Sequence, residues 1–375
     1  MPQWEIPKGA KLWRSNQIYQ TTTQLIAAYE AGNAGAYRDR DQDARLKSEV
    51  EDSGGNFDGE SVCHSYGLAE TGAGKLSLSF LPTLDLWPGS MPGPPQRRGD
   101  CVSHGQKNAC LVSIAAEIMA GKPDEITGKI EGAPDVPAAG IQQGVFSTEA
   151  IYWWRDHGGD GWSCSHSARV VMHESGLWMR KPYPDFDLDL TSYNPQTAGK
   201  WGRTSPPDEI KQFGIQHRIR TATEAKSYES VRDLIANYYG INHCGSQGLG
   251  SKRDKYGVVR RSGSWAHAMS YIGVDDRPWA HQLYGCGLVL NLNSWGTSWV
   301  SGPRDIHESA DMVPPALKQE WISKGIVNAQ TGNIMLPEGS VWVPWKDMAG
   351  RYNVASSSFD GWPPSKLTFR GSAFG

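Results

Sequence analysis

Apolar positions in this chain recur at helical spacing through its first half and at strand-like spacing through much of its second. Ile18, Leu25, Ile26 and Tyr29 predict a helix over 17–29. The next stretch, Arg38 to Asp52, is charge-dense with only Ala44, Leu46 and Val50 apolar, which predicts an exposed helix or a segment without fixed structure. Ala109, Val112, Ala116 and Met119, with Ala115 and Ile118 beside them, predict a long helix that starts just after Cys101 and is stopped by Gly121 and Pro123. Two shorter helices are predicted over 149–156 and 165–174, the second ended by Gly176. An amphipathic helix over 228–239 carries Val231, Leu234, Ile235 and Tyr238. The pattern then changes to strands over 258–259, 268–274, 287–292 and 340–343.

Glycine and proline divide these elements. Gly54-Gly55 opens a looser segment, and Pro88, Pro92, Pro94 and Pro95 predict an extended lead-in to the long helix. Residues 185–208 read as a crossover. Residues 303–338 read as an insertion before the strand at 340, with a helix over 316–323 packing Leu317, Trp321 and Ile322. No internal repeat is evident. The expected organisation is an N-terminal arm over 1–90, a helical lobe over 91–208 and a strand-rich lobe over 209–375.

At 375 residues the chain can bury one two-lobed core or two modest domains. A net charge of −3 gives no electrostatic reason to expect nucleic acid or an anionic membrane as partner. The first twenty residues hold no apolar signal core, and no later run approaches the roughly 18 apolar residues of a membrane span. The expectation is a chain not exported by the general pathway, cytoplasmic or within a particle assembled there. The six cysteines, at 63, 101, 110, 164, 244 and 286, do not form a dense framework, and setting aside Cys101 leaves an odd number, so a reducing compartment is expected. With no CxxC or HxxxH pair, no metal and no cofactor are expected. Sixteen tryptophans are expected mostly in the core or between lobes. Ala69 to Lys75 imitates a phosphate loop, but Ala69 and Leu76 stand where that loop needs glycine and Ser or Thr.

Three stretches carry the chemistry: Gly99-Asp100-Cys101-Val102-Ser103, Trp265-Ala266-His267-Ala268-Met269 and Asn293-Ser294-Trp295-Gly296-Thr297-Ser298-Trp299. A thiol near its ordinary pKa is only a few per cent thiolate at neutral pH and needs an imidazole and a helix N-terminus to ionise. Cysteine, histidine and asparagine in these contexts suggest a nucleophile, its base and the group that orients the base.

These segments resemble the active-site signatures of the papain-like cysteine peptidases. His267-Ala268 followed by Met269 to Gly273, and Asn293-Ser294-Trp295-Gly296 with Trp299 and Gly302 beyond it, are similar to the family's histidine and asparagine motifs. Ser147 to Ala150, Gly161-Trp162, Ser175 to Leu177 and Tyr183-Pro184 fall in the order of its middle region. The likeness spans residues 94 to 365 and is closest to divergent members from bacteria and bacteriophages. It implies an α+β, two-lobed fold, with a helical first lobe, a strand-rich barrel-like second lobe and the site in the cleft between them. It further implies Cys101 as nucleophile, His267 as base and acid, Asn293 as orienter and Gln96 as oxyanion donor. Gly161 and Trp162 would line the pocket beside the cut site, and Trp295 would shield the His267–Asn293 bond. Val102 stands where an aromatic residue is usual, and Gln96 lies one residue nearer the cysteine than in the best-known members.

The implied activity is hydrolysis of protein or peptide substrates through a thioacyl intermediate on Cys101. Two other readings stand beside it. One is a structural or attachment component of a phage particle with a vestigial triad. The other is a peptidoglycan or isopeptide amidase. The arm over 1–90, with Trp4, Trp13 and Tyr29 as aromatic anchors, is expected to dock a virion partner or a second copy and not to act as an inhibitory propeptide.

Overall fold

The computed structural model describes residues 17–30, 35–120, 136–155, 159–202, 204, 209, 212–215 and 217–357. Its axis is the helix Cys101–Ala120, which begins at Cys101 itself. From Cys101 to Ala116 every residue of this helix is buried, polar ones included. A helix enclosed on all sides needs no amphipathic stripe, which is why its apolar periodicity becomes legible only in its second half.

The helix lies against an antiparallel sheet whose strand order is Ser340–Pro344, Leu288–Leu292, Arg261–Asp275, Gly240–Leu249, Tyr352–Ser357 and Thr221–Glu224, with Leu76–Ser77 also paired to the long strand Arg261–Asp275. Two glycines set how closely helix and sheet approach. A Cβ on Gly240 would meet the Ala109 carbonyl oxygen at 2.0 Å, and one on Gly105 would meet Asn242 Oδ1 at 2.4 Å. The architecture is α+β and two-lobed, with Cys101 on the helical side and His267 and Asn293 on the sheet side. One disulfide, Cys164–Cys244, ties the helix Cys164–His173 to the strand Gly240–Leu249. The cysteine count predicts no such bridge, and Cys63, Cys101, Cys110 and Cys286 are free.

Residues 36–90, expected in a docking arm, are built into the body. The helix Arg40–Asp52 is capped by Asp39, which accepts from the Asp41 and Gln42 N–H groups, and it buries Leu46 and Val50 completely. Its charges are matched locally: Arg38 pairs with Asp43 at 2.6 Å, and Asp43 also accepts from Ser165. Leu76–Ser77 adds to the main sheet. The helix expected over 17–29 is Thr22–Glu30, while Trp4 and Trp13 lie outside the described residues.

The segment 303–338 folds back on itself through Ile306 N–H to the Ile334 carbonyl. Its helix Lys318–Ser323 is fastened to the helix Leu81–Leu86, where Trp321 and Lys324 both donate to Asp85. The predicted strand at 258–259 makes only a bridge from Val258 to Trp342. Among the described residues no helix is long and apolar enough to cross a membrane.

Candidate active site

Three elements bring the predicted residues together. Cys101 opens the central helix, where unpaired backbone N–H groups and the aligned peptide dipoles favour negative charge. His267 lies in the middle of the strand Arg261–Asp275, and Asn293 follows the end of the neighbouring strand Leu288–Leu292. The Ala268 N–H, next to His267, donates to Cys101 Sγ at 3.4 Å. His267 Nε2 bonds Asn293 Oδ1 at 2.9 Å. With the proton on Nε2 for that bond, Nδ1 is an acceptor, and it has no partner.

Trp295 lies over the imidazole, rings stacked with centroids 4.7 Å apart, and Trp265 packs edge-on against Trp295. The His267–Asn293 bond is thereby closed off from water on the indole side. Gln96 is tied to the asparagine segment at both ends: its N–H donates to the Ser294 carbonyl at 2.8 Å, and Ser294 Oγ donates to its Oε1. Its Nε2 donates to the Arg98 carbonyl and, at 3.1 Å, to the hydroxyl of Tyr29.

Gly161 (φ +86°) donates its N–H to the Gly99 carbonyl. The Trp162 side chain turns into the core, its indole N–H reaching His166 Nδ1, so what Trp162 offers the cleft is its backbone. Arg98 is buried in an ion pair with Asp160 at 2.6 Å. Asp100 accepts from Tyr193 and lies 3.7 Å from His104.

The cleft is occupied by the chain's own N-terminal segment. Tyr29 donates its hydroxyl to Cys101 and packs its ring against His267 and Trp295, centroids 5.0 and 5.7 Å away. Gly35 is clamped by both lobes: its N–H goes to the Ala266 carbonyl at 2.8 Å, and its carbonyl receives the Trp162 N–H at 3.1 Å. Beyond it Ala36 and Tyr37 run parallel to Trp162 and Ser163. A Cβ on Gly35 would meet Cys101 Sγ at 2.6 Å. Cys101, His267, Asn293 and Gln96 are consequently all without solvent exposure.

That burial governs the charges. The Cys101 thiol is pushed up to about 12 by desolvation, and Asp100 adds to the rise against the Tyr29 and Ala268 hydrogen bonds. Burial holds His267 down to about 3, against the bond to Asn293, with Arg351 and His104 lowering it further. Thiol and imidazole are both neutral in this closed form.

Sequence reasoning missed the place of Tyr29 and Gly35 in this site, because Tyr29 reads as a helix position and an aromatic anchor and no motif marks Gly35. Among the described residues no group of three His, Cys, Asp or Glu could hold a metal ion. The glycine-rich stretch at 69–75 has its Glu70 and Gly72 N–H groups taken by the Asp233 carboxylate, which fills an anion's place.

No protein-family model matches the chain, and no curated protein does. Among solved structures the chain is similar to xylellain, a cysteine protease from Xylella fastidiosa, at 13% identity over 71% of this chain and 82% of that one, with a TM-score of 0.40. It is also similar to the cysteine protease and lectin-like domains of Cwp84, a surface layer associated protein of Clostridium difficile. There the identity is 13% over 70% of this chain and 48% of the other, with a TM-score of 0.35. Procathepsin B S9 from Trypanosoma congolense matches at 9% identity over 76% of this chain and 77% of that one, with a TM-score of 0.40.

Proposed function

We propose that this chain is a cysteine peptidase of papain-like type that rests in a closed form. The Cys101 thiolate adds to a peptide carbonyl, the Gln96 amide and the Cys101 N–H receive the developing oxyanion, and the C–N bond breaks as His267 returns the thiol proton to the leaving amine. Water then attacks the thioester, giving one proton to His267, and collapse of the adduct breaks the C–S bond, releasing the acid and restoring the Cys101 thiolate beside the imidazolium. Asn293 keeps the imidazole in the tautomer this requires.

The observation that carries the reading is the pairing of an imidazole held by asparagine at Nε2, with Nδ1 free, and a thiol at a helix N-terminus against the next residue's N–H. A peptide substrate is favoured by the two backbone groups that hold Gly35. The Ala266 carbonyl and the Trp162 N–H would clamp any extended chain laid between the lobes. Nothing among the described residues favours the particle-component or amidase readings.

The test is a peptidyl vinyl-sulfone probe on the full-length protein, with mass mapping of the adduct and a peptide hydrolysis assay alongside. Modification at Cys101, lost in His267→Ala, with hydrolysis abolished in a folded Cys101→Ala, is the expected result. Hydrolysis retained in Cys101→Ala overturns the assignment.

A further inference from the structure

Behind the candidate pair the structure buries a cation without a counter-ion. Arg351 immediately precedes the strand Tyr352–Ser357 and is 6% exposed. Its stem fills the place of a missing side chain, since a Cβ on Gly245 would meet Arg351 Cγ at 2.5 Å. Gly245 is the cross-strand partner of His267. Directly opposed residues of an antiparallel pair present their side chains on one face, so the Arg351 stem runs along the imidazole's side of the sheet.

The guanidinium donates to His243 Nδ1 at 3.0 Å and to the Gln247 carbonyl, and its Nε has no partner. Both acceptors are neutral: His243, stacked on Tyr271 with ring centroids 3.8 Å apart, is held well below its ordinary range by burial and by Arg351 itself. Burial draws Arg351 down to about 10, which leaves it charged at pH 7. No carboxylate among the described residues pairs with it. The groups whose negative charge would favour it are Tyr271 and Cys101, with Arg261 opposing. Tyr271 is pushed up by burial and stays neutral. Cys101 is the neighbour that the proposed reaction ionises.

An uncompensated buried guanidinium costs several kcal/mol, and such placements concentrate at functional sites. We propose that Arg351 supplies a fixed positive field that stabilises the Cys101 thiolate. It acts through the Cys101–His267 pair without touching substrate, as a positioning residue, and the inference rests on the assignment of that pair. A nearby cation lowers the thiol pKa and also disfavours the imidazolium, so it moves both limbs of the pH profile toward acid. Asp100, Tyr29 and the Ala268 N–H also face the thiol, and Asn293 and His104 face the imidazole, but these are the same with or without the arginine.

The experiment is the pH dependence of Cys101 alkylation by iodoacetamide in the full-length protein, quantified by mass mapping, with peptide hydrolysis measured in parallel. Arg351→Gln is expected to raise the alkylation midpoint by about one pH unit, the order of effect of removing a neighbouring unit charge at an effective dielectric of about 20. Arg351→Lys is expected to keep the wild-type midpoint. Gln247→Glu places a carboxylate beside the Arg351 stem, since Gln247 Oε1 and Arg351 Cγ both crowd the Gly245 Cβ position; it is expected to raise the midpoint while leaving the arginine in place, so it decides the matter if Arg351→Gln does not fold. An unchanged midpoint in folded Gln247→Glu, or an equal rise in the lysine variant, overturns the proposal. Alkylation reads thiol ionisation whether or not peptides are cut. A shifted midpoint without hydrolysis therefore removes the peptidase reading and keeps the field, and hydrolysis with an unshifted midpoint does the reverse.

Discussion

His267 and Lys107 show burial acting on single groups in two ways. For His267 the cost of charge in a dry site keeps the proposed base neutral until the cleft opens, and Asn293 holds only its orientation. Asn293→Ala is accordingly expected to reduce turnover by less than His267→Ala, since the proton transfer itself is worth on the order of 10²–10⁴-fold. Steady-state hydrolysis by the two folded variants checks the order, and equal losses would mean that the two side chains act as a unit. Lys107, on the same helix as Cys101, is buried with its ammonium unpartnered, and desolvation lowers it to about 7. A lysine depressed in the fold leaves the unfolded chain binding more protons between about pH 7 and 10.5, so stability rises with pH across that window. Lys107→Met is expected to stabilise by about 1–4 kcal/mol at pH 7, by removing an unpaired buried charge. The gain should shrink toward pH 10, as urea unfolding at the two pH values will show.

At the level of elements, the site depends on how closely one helix meets two strands. Cys101 gains the helix N-terminus only because the helix starts at that residue, with the Ser103 and His104 N–H groups turned to the Asp100 carbonyl. The helix axis is held at the sheet by Gly240 against the Ala109 backbone and by Gly105 against Asn242. Gly240→Ala forces a methyl into backbone atoms that cannot step aside, and it is expected to cost about 1–3 kcal/mol. Gly250→Ala, where a Cβ finds its nearest neighbour at 3.6 Å, serves as the near-neutral control in the same urea titration. The strands at 240–249 and 352–357 escape a reading by pattern for a related reason. Gly240-Ile241-Asn242-His243-Cys244-Gly245 neither alternates nor carries a β-branched run, because its neighbours bury it on both faces and polar residues there find partners in the helix and in Arg351.

Across the whole molecule, Tyr29 and the stretch 35–37 lie between the two lobes, in the place the proposed function gives to a substrate. Its fit depends on a residue without a side chain. Gly35→Ala brings a methyl into the Tyr29 hydroxyl and to 2.6 Å from Cys101 Sγ, a clash that displacement of the segment relieves. A cost of about 1–3 kcal/mol corresponds to an increase of roughly 5- to 150-fold in the open population. Iodoacetamide labelling of Cys101 in native buffer is expected to rise by that factor, while the buried Cys63 and Cys110 stay as slow as in the wild type. Unchanged labelling of a folded Gly35→Ala would remove the closed resting state and leave the peptidase assignment standing. Within residues 1–90 the described part places Tyr29 and Gly35 against the site residues and adds helices that pack into the core.

The sequence by itself determined the local chemistry: a cysteine ahead of an apolar helix, a histidine within a strand and an asparagine at a strand's end, each in a context of neighbours sufficient to mark it. Periodicity and punctuation decide such features within a few residues of chain, and so they are legible without a fold. Only the tertiary structure decided what surrounds them. The Tyr29 hydroxyl between Gln96 and Cys101, Gly35 under the thiol, Arg351 beside Gly245 and the Cys164–Cys244 bridge join residues roughly 65 to 105 positions apart. Helix, strand and turn patterns carry no record of such distances, because burial, and with it the charge state of every group in the site, is fixed only when the lobes pack.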